Sequence, residues 1–401
     1  MGKKSKPLDG AVPNMPIASA VERKDTIAMQ SILLQALPVA RSVEDVVIET
    51  TSGKAFTGGR STPVYKVSGT VRKENGTAVR RSFVVKWVRL PDDKSEKTMT
   101  RRESYAVERR FYENAAIQER LRNAALTIPK VLASDRGSSF CILMNDLTAN
   151  YPRHPDRMSL PEAAGALRWI ATFHACFWGD SFPHVLWDRG AFWTQTCSVQ
   201  GIAVAWVATH QFIESKYSQY VTSRTRTVGH RLQTAGPAIA HFLTEYAHNR
   251  NYRTVIHGDY KAANLFFDAE NAAAIDFQYA GGGVGAEDVA YLIYPDAFGD
   301  WFGHEEMLLQ IYHETLVTQL VLQRKGGPST LPFETFLKFY ELARLDMTRH
   351  WLCQGWIAST EGEAKLVGAL ERALDEIDGG SVLFNGDDDY KAALHRFVFG
   401  S

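Results

Sequence analysis

The stretch Val255-Ile256-His257-Gly258-Asp259-Tyr260-Lys261-Ala262-Ala263-Asn264-Leu265-Phe266-Phe267, followed by Ala272-Ala273-Ala274-Ile275-Asp276-Phe277-Gln278, decides how this chain is read. A polar loop of the form HGDxxxxN sits between apolar runs, and a second carboxylate ends another short apolar run. Phosphoryl transfer from ATP needs few groups, each well placed: a carboxylate to orient the attacking hydroxyl and take its proton, and oxygen ligands to hold magnesium against the triphosphate. Asp259 suits the first task. Asn264 and Asp276 suit the second, since a hard cation prefers such oxygens to His or Cys. His257 is expected to be structural, hydrogen-bonded so that it shapes the loop. Either motif alone is a common string. Both together, correctly spaced and bounded by apolar runs, point to kinase-type chemistry.

The rest of the composition is compatible with that reading. The chain has 401 residues, enough for two sizeable lobes. Its 45 basic and 45 acidic residues cancel, so charge gives no reason to expect nucleic-acid or acidic-membrane binding. The four cysteines, Cys141, Cys176, Cys197 and Cys353, are scattered without a CxxC pair, which argues against a zinc site and a disulfide framework. No apolar run approaches the ~20 residues needed to cross a bilayer. The expectation is a cytoplasmic protein without membrane insertion.

Texture changes along the chain. Residues 1–18 are expected to form a flexible tail. Ser19 to Leu37 reads as one helix that Pro38 ends. From Val46 to Val88 the sequence alternates like strands, with a glycine-rich loop at 57–62 and a hairpin turn at Asn75-Gly76. Arg101 to Ala116 is a charged amphipathic helix on which Tyr105, Glu108 and Tyr112 lie about one turn apart. Phe140 to Met144 is a further strand. The remainder is mainly helical: Leu160 to Trp178, with Ser159 as N-cap and Pro161 just inside, then segments near 202–222, 228–248, 304–324, 332–350 and 362–377. The run Gly281-Gly282-Gly283-Val284-Gly285 reads as a linker or as a loop lining the active site, its place after Asp276 favouring the loop. The expected fold is α+β, an antiparallel β-sheet lobe of residues 19–146 followed by a helical lobe of residues 147–401.

Several further motifs fall in an order that resembles the ecdysteroid-kinase-like (CHK-kinase-like) family of the aminoglycoside-phosphotransferase and choline-kinase superfamily. These are HGD…N, IDFQ in place of the DFG of protein kinases, the tail Gly285-Ala286-Glu287-Asp288-Val289-Ala290-Tyr291-Leu292, and a helix ending Phe173-His174-Ala175. The resemblance implies the two-lobed protein-kinase-like fold. It implies ATP and Mg2+ as cofactors and a small-molecule alcohol as acceptor. It assigns Lys86, a charge inside a strand, to the ATP phosphates, with Glu108 positioning it and Glu103 as the fallback. The loop Gly58-Gly59-Arg60-Ser61 would cover the phosphates, its glycines allowing close backbone approach. Met144-Asn145-Asp146-Leu147 would be the hinge against adenine, Asn145 departing from the family's usual glutamate and Leu147 completing the contact. Lys261, two residues after Asp259, would steady the transferred phosphate, and Asp288 would fasten the catalytic loop.

The function implied is a phosphotransferase with an alcohol acceptor: sterol-like, an amino alcohol or another natural product. A protein kinase is disfavoured because neither DFG nor APE follows the second aspartate. A non-catalytic nucleotide-binding scaffold normally loses the lysine, the base or a metal residue, and Lys86, Asp259, Asn264 and Asp276 are all present. An aminoglycoside-type antibiotic phosphotransferase would need a strongly acidic cleft, which one sequence does not reveal.

Overall fold

The structure is a computed structural model that describes residues 16–51, 64–89, 92–135, 140–180, 182, 184–196, 202–246, 252–293, 303–327, 329–355, 360–380 and 387–400. The chain divides into two compact units, Met1–Arg102 with Pro129–Ala149, and Glu103–Ile128 with Asn150–Ser401.

The first unit opens with α1 (Ile17–Glu22) and α2 (Thr26–Ala36), where the sequence predicts a single helix. The break has a local cause. Lys24 has a φ of 51°, and the Asp25 carboxylate accepts the Ala28 N–H at 2.9 Å, capping a new helix. Of the predicted tail, residues 1–15 lie outside the described residues, and Ile17 and Ala18 belong to α1. Ile17 and Ala18 are buried, and their N–H groups donate to the Asp135 carboxylate at 3.0 and 2.9 Å, satisfying two of the orphan donors of the α1 N-terminus. Strands β1 (Ala40–Thr50), β2 (Val64–Lys73), β3 (Ala78–Val88), β4 (Val131–Asp135) and β5 (Phe140–Asn145) form one antiparallel sheet in the order β1-β2-β3-β5-β4. The β2–β3 connection turns at Gly76, whose φ is +82°, as the Asn-Gly signal predicts. Alternate residues of the strands, Val67, Val71, Phe83, Val85, Cys141 and Leu143 among them, pack on Met29 and Leu33 of α2. Burying each such side chain contributes about 2 kcal/mol. Lys86, flanked by buried Val85 and Trp87, lies on the opposite face and is half-buried.

Helix α3 (Glu96–Glu113) begins in the first unit and continues into the second. The second unit continues with α4 (Ala115–Asn123), α5 (Leu160–Phe177), α6 (Phe192–Thr196), α7 (Ile202–Lys216) and α8 (Val228–His241). Beyond them lie α9 (Gly285–Leu292), α10 (Glu305–Leu322), α11 (Phe333–Cys353), α12 (Glu361–Asp378) and α13 (Asp387–Phe399). Helix α5 starts where the sequence predicts, with the Glu162 carboxylate accepting the Ser159 N–H and hydroxyl at 2.8 and 2.7 Å. Two small antiparallel ladders complete the unit: β6 (Thr254–Ile256) with β9 (Gly281–Gly283), and β7 (Leu265–Asp268) with β8 (Asn271–Ala274). The architecture is thus α+β, with the antiparallel sheet first and the helices after, as the sequence predicts. Residues 103–128 group with the helical unit rather than with the sheet because Phe111 of α3 stacks on Phe277, with ring centroids 3.9 Å apart and planes at 9°. Among the described residues, no helix is long and apolar enough to cross a membrane.

Candidate active site

The loop His257–Lys261 hangs between β6 and β7, followed by a 3-10 turn at Ala262–Asn264. What holds it is Asp288, fully buried on α9. One carboxylate oxygen accepts the His257 N–H at 2.6 Å and the other accepts the Gly258 N–H at 2.9 Å. The same carboxylate bonds His174 Nε2 at 3.1 Å, and His174 Nδ1 reaches the Tyr312 hydroxyl at 2.8 Å. Helices α5, α9 and α10 and the loop after β6 therefore share one buried network. The role the sequence assigns to Asp288 is what the geometry shows. In the sequence, His174 stands only as part of the Phe173-His174-Ala175 helix motif. Its role rests on a partner 114 residues away, which no local pattern reveals.

His257 is fully buried. Its Nε2 lies 2.9 Å from the Ile275 carbonyl, and its Nδ1 accepts the Asp259 N–H at 3.3 Å. Burial holds its pKa below the usual histidine range, so the ring is neutral and its Nε2–H donates. The histidine shapes the loop, as expected. Gly258 has a φ of +80°, and a Cβ there would stand 2.2 Å from the Tyr279 carbonyl oxygen and 2.7 Å from the Ala191 nitrogen. Only glycine fits the turn that presents the next residue.

That residue is Asp259. One carboxylate oxygen takes a hydrogen bond from Lys261 Nζ at 2.9 Å. The other takes one from the Asn264 side-chain amide at 3.0 Å, which also donates to the Asp259 carbonyl at 2.8 Å. Burial pushes the Asp259 pKa above the ordinary carboxylate value, Lys261 opposes this, and nearby Asp276 adds to it. For Lys261 burial alone would lower the pKa, but the Asp259 and Asp276 charges outweigh it and hold the ammonium above its usual value. Lys261 keeps part of its side chain in solvent, 38% by relative area, while Asp259 is buried.

Asp276 follows β8 with a φ of +69°, a left-handed conformation that costs a residue with a Cβ about 1 kcal/mol or more. Its side chain is largely buried, and together with Glu108 it raises the pKa of the buried Tyr112 hydroxyl, burial being the larger cause. The next residue, Phe277, packs 4.6 Å from the His257 ring as well as on Phe111. Glu108, one turn before Tyr112 on α3, is 1% exposed, an unusual place for a carboxylate on a charged helix.

The structure thus brings Asp259, Lys261, Asn264 and Asp276 together. In the other unit, Lys86 pairs in register with Ile142. Asn145 is tied to Lys130 in the same unit. Its side-chain oxygen accepts the Lys130 N–H at 2.5 Å, and its own N–H donates to the Lys130 carbonyl at 3.1 Å. Leu147 is buried. Asp146, also in the hinge stretch, binds Lys66 at 3.1 Å and accepts the Ser82 hydroxyl at 2.7 Å and the Thr148 hydroxyl at 2.7 Å. Gly58, Gly59, Arg60 and Ser61 lie outside the described residues.

The glycine run after Asp276 is not a loop. Gly281–Gly283 form β9, buried and paired with β6. A Cβ on Gly281 would come within 2.5 Å of the Trp187 carbonyl oxygen, so the run permits close backbone packing.

A family model described as the ecdysteroid kinase-like family matches residues 60–324. No curated protein matches the chain. Among solved structures the chain is similar to a choline kinase from Cryptosporidium parvum Iowa II, with 11% identity over 87% of this chain and 93% of that one, and a TM-score of 0.47. It is similar to an ethanolamine kinase from Plasmodium vivax, with 12% identity over 82% of each chain and a TM-score of 0.36. It is also similar to an amicoumacin kinase in complex with AMP-PNP, Ca2+ and Ami, with 13% identity over 82% of this chain and 88% of that one, and a TM-score of 0.41. Since the family match spans well over half of the chain and includes both the loop and its fastening aspartate, this protein belongs to the ecdysteroid kinase-like family.

Proposed function

We propose that this protein is a small-molecule kinase that transfers the γ-phosphate of ATP, with Mg2+, to a hydroxyl of an alcohol metabolite. The observation that carries the reading is the Asp259 carboxylate, held between Lys261 and Asn264 on a loop that Asp288 fastens from behind. Membership of a kinase-like family points the same way.

In this reading Asp259 orients the acceptor hydroxyl and takes its proton. The hydroxyl oxygen bonds to the γ-phosphorus, the bond to the β,γ-bridging oxygen breaks, and ADP leaves with that electron pair. The raised pKa of Asp259 makes it a stronger base than an exposed carboxylate. Lys261, paired with Asp259 in this structure, shifts toward the transferred phosphate. The donor set fits a hard cation. The Asn264 amide nitrogen is committed to Asp259, so its oxygen is the atom left to face a metal, and Asp276 adds a carboxylate. Magnesium bound there would neutralise charge on the phosphates. Lys86 is assigned to the ATP phosphates, Glu108 to positioning Lys86, and Gly58, Gly59, Arg60 and Ser61 to covering the phosphates. Leu147 and Asn145 are assigned to adenine, with the Asn145 side-chain oxygen and N–H both engaged by Lys130 in this structure. The acceptor is a sterol-like, amino-alcohol or other natural-product alcohol.

The test is ADP release from Mg-ATP across a panel of sterols, choline, ethanolamine and aminoglycosides. Asp259→Asn abolishes turnover and leaves nucleotide affinity nearly unchanged. Asp276→Ala weakens Mg-ATP binding by roughly tenfold or more. Full turnover in Asp259→Asn would refute the assigned base. Normal Mg-ATP affinity in Asp276→Ala would move the metal elsewhere. Nucleotide binding without turnover on any alcohol would favour a non-catalytic scaffold.

A further inference from the structure

Beside the loop stands a group of aromatic side chains that the proposed phosphoryl transfer leaves unexplained. The Phe192 N–H donates to the Gly258 carbonyl at 2.9 Å, which fixes the start of α6 against the loop. From there the Phe192 ring meets Tyr291 at 5.2 Å, His350 at 5.3 Å, and Tyr279 and Trp351 at 6.0 Å each. Lys261 Nζ lies 6.0 Å from the Tyr291 ring centre. The wall therefore runs from the Asp259–Lys261 pair to His350 in the last turn of α11. Trp193, Tyr291 and Met347 belong to a buried cluster, and Phe192 and Trp351, only partly buried, pack against it.

His350 is the anomaly in this wall. It is 2% exposed, and among the described residues its Nδ1 has no hydrogen-bond partner. The charges that face it are Arg349 and Asp346 of its own helix, bonded to each other at 2.7 Å. The rings around it, Phe192 and Trp351, carry no charge. Burial, with Arg349 second, lowers its pKa to about 4, so the imidazole is neutral near pH 7. A phenylalanine would fill the same aromatic space without burying a bare polar atom. A histidine kept there at that cost needs a partner, and the reacting groups lie along the same wall.

We infer that this wall is the acceptor subsite and that His350 Nδ1 makes a hydrogen bond to a second polar atom of the acceptor, selecting ring-bearing alcohols with a heteroatom remote from the reacting hydroxyl. The inference rests on the kinase reading and adds a specificity-determining residue to it. The apolar faces of Phe192 and Trp351 stack the ring system, and Nδ1 distinguishes acceptors of similar shape.

The test is calorimetric binding of three probes to the full-length protein saturated with Mg-AMP-PNP: 2-(2-naphthyl)ethanol, 2-(6-quinolinyl)ethanol and indole-3-ethanol. One heteroatom probe binds about tenfold more tightly than the naphthyl compound, as expected for one added hydrogen bond. His350→Phe removes that preference and keeps naphthyl binding. His350→Asn, whose amide stands near the Nδ1 position, retains the preference, whereas His350→Gln, whose amide stands near Nε2, loses it. A merely structural polar role would not separate the last two variants. Equal binding of all three probes to the wild type, survival of the preference in His350→Phe, or no probe binding while Mg-AMP-PNP is held would overturn the inference and leave the kinase reading standing. Failure to bind Mg-AMP-PNP would bring down both.

Discussion

Replacing Asp288 by asparagine tests whether the loop is held from behind as the structure shows. The carboxylate accepts two backbone N–H groups, at 2.6 and 2.9 Å, one on each oxygen, and bonds His174 at 3.1 Å. Asparagine keeps one acceptor oxygen and turns an NH2 group toward the other backbone donor. One charge-assisted hydrogen bond is lost, about 1.5–3 kcal/mol, and a buried N–H is left unsatisfied, about 1–3 kcal/mol. The combined loss is about 3 kcal/mol or more, and it falls on the loop first. Native-state hydrogen exchange at pH 7 reads this directly, residue by residue. The amides of His257 and Gly258 should exchange about a hundredfold faster in Asp288→Asn than in the wild type, while amides of the β2–β3 hairpin change little. Unchanged protection of the His257 and Gly258 amides would show that the loop does not depend on Asp288, and the account of the site would fail.

Gly258→Ala should destabilise the protein by about 3 kcal/mol and reduce kcat sharply, because φ is +80° and the new Cβ would meet two backbone atoms. Thermal melts and steady-state kinetics check this, and a variant with native stability would contradict the turn geometry. Glu287 gives a pH signature. Burial raises its pKa from 4.5 to about 7, Arg189 opposing, so the folded protein holds a proton that the unfolded chain releases. Its stabilising contribution is complete below pH 4.5 and is lost as pH rises through 7, about 3 kcal/mol in all. Relative to Glu287→Gln, which has no such proton to lose, the wild type should lose stability across that window in urea titrations. A constant difference between the two would refute the assignment.

Much of the site was legible in the sequence because its members are close in the chain. His257, Gly258, Asp259, Lys261 and Asn264 span eight residues, and the hydrogen bonds that Asp259 accepts from Lys261 and Asn264 form within that span. The Asn75-Gly76 turn and the Ser159 and Glu162 start of α5 were legible for the same reason. Asp25, whose carboxylate caps the second of the two N-terminal helices, is also local, but the apolar pattern runs across it on either side and reads as a single helix. Remote partners were harder. The pattern around Asp288 suggested that it fastens the loop, while the histidine it shares that work with gave no local sign.

By itself, then, the sequence determined the order of strand-rich and helical regions and placed Asp259, Lys261 and Asn264 on one short loop ahead of Asp276. These follow from side-chain period and from motifs a few residues long. Only the tertiary structure decided that Gly281–Gly283 is a buried strand, that the Asn145 side chain is spent on Lys130, that Phe111 stacks on Phe277, and that a bare histidine nitrogen lies in an aromatic wall beside Lys261. Each depends on which distant segments pack together, and that is set by the simultaneous fit of many side chains rather than by any stretch read alone.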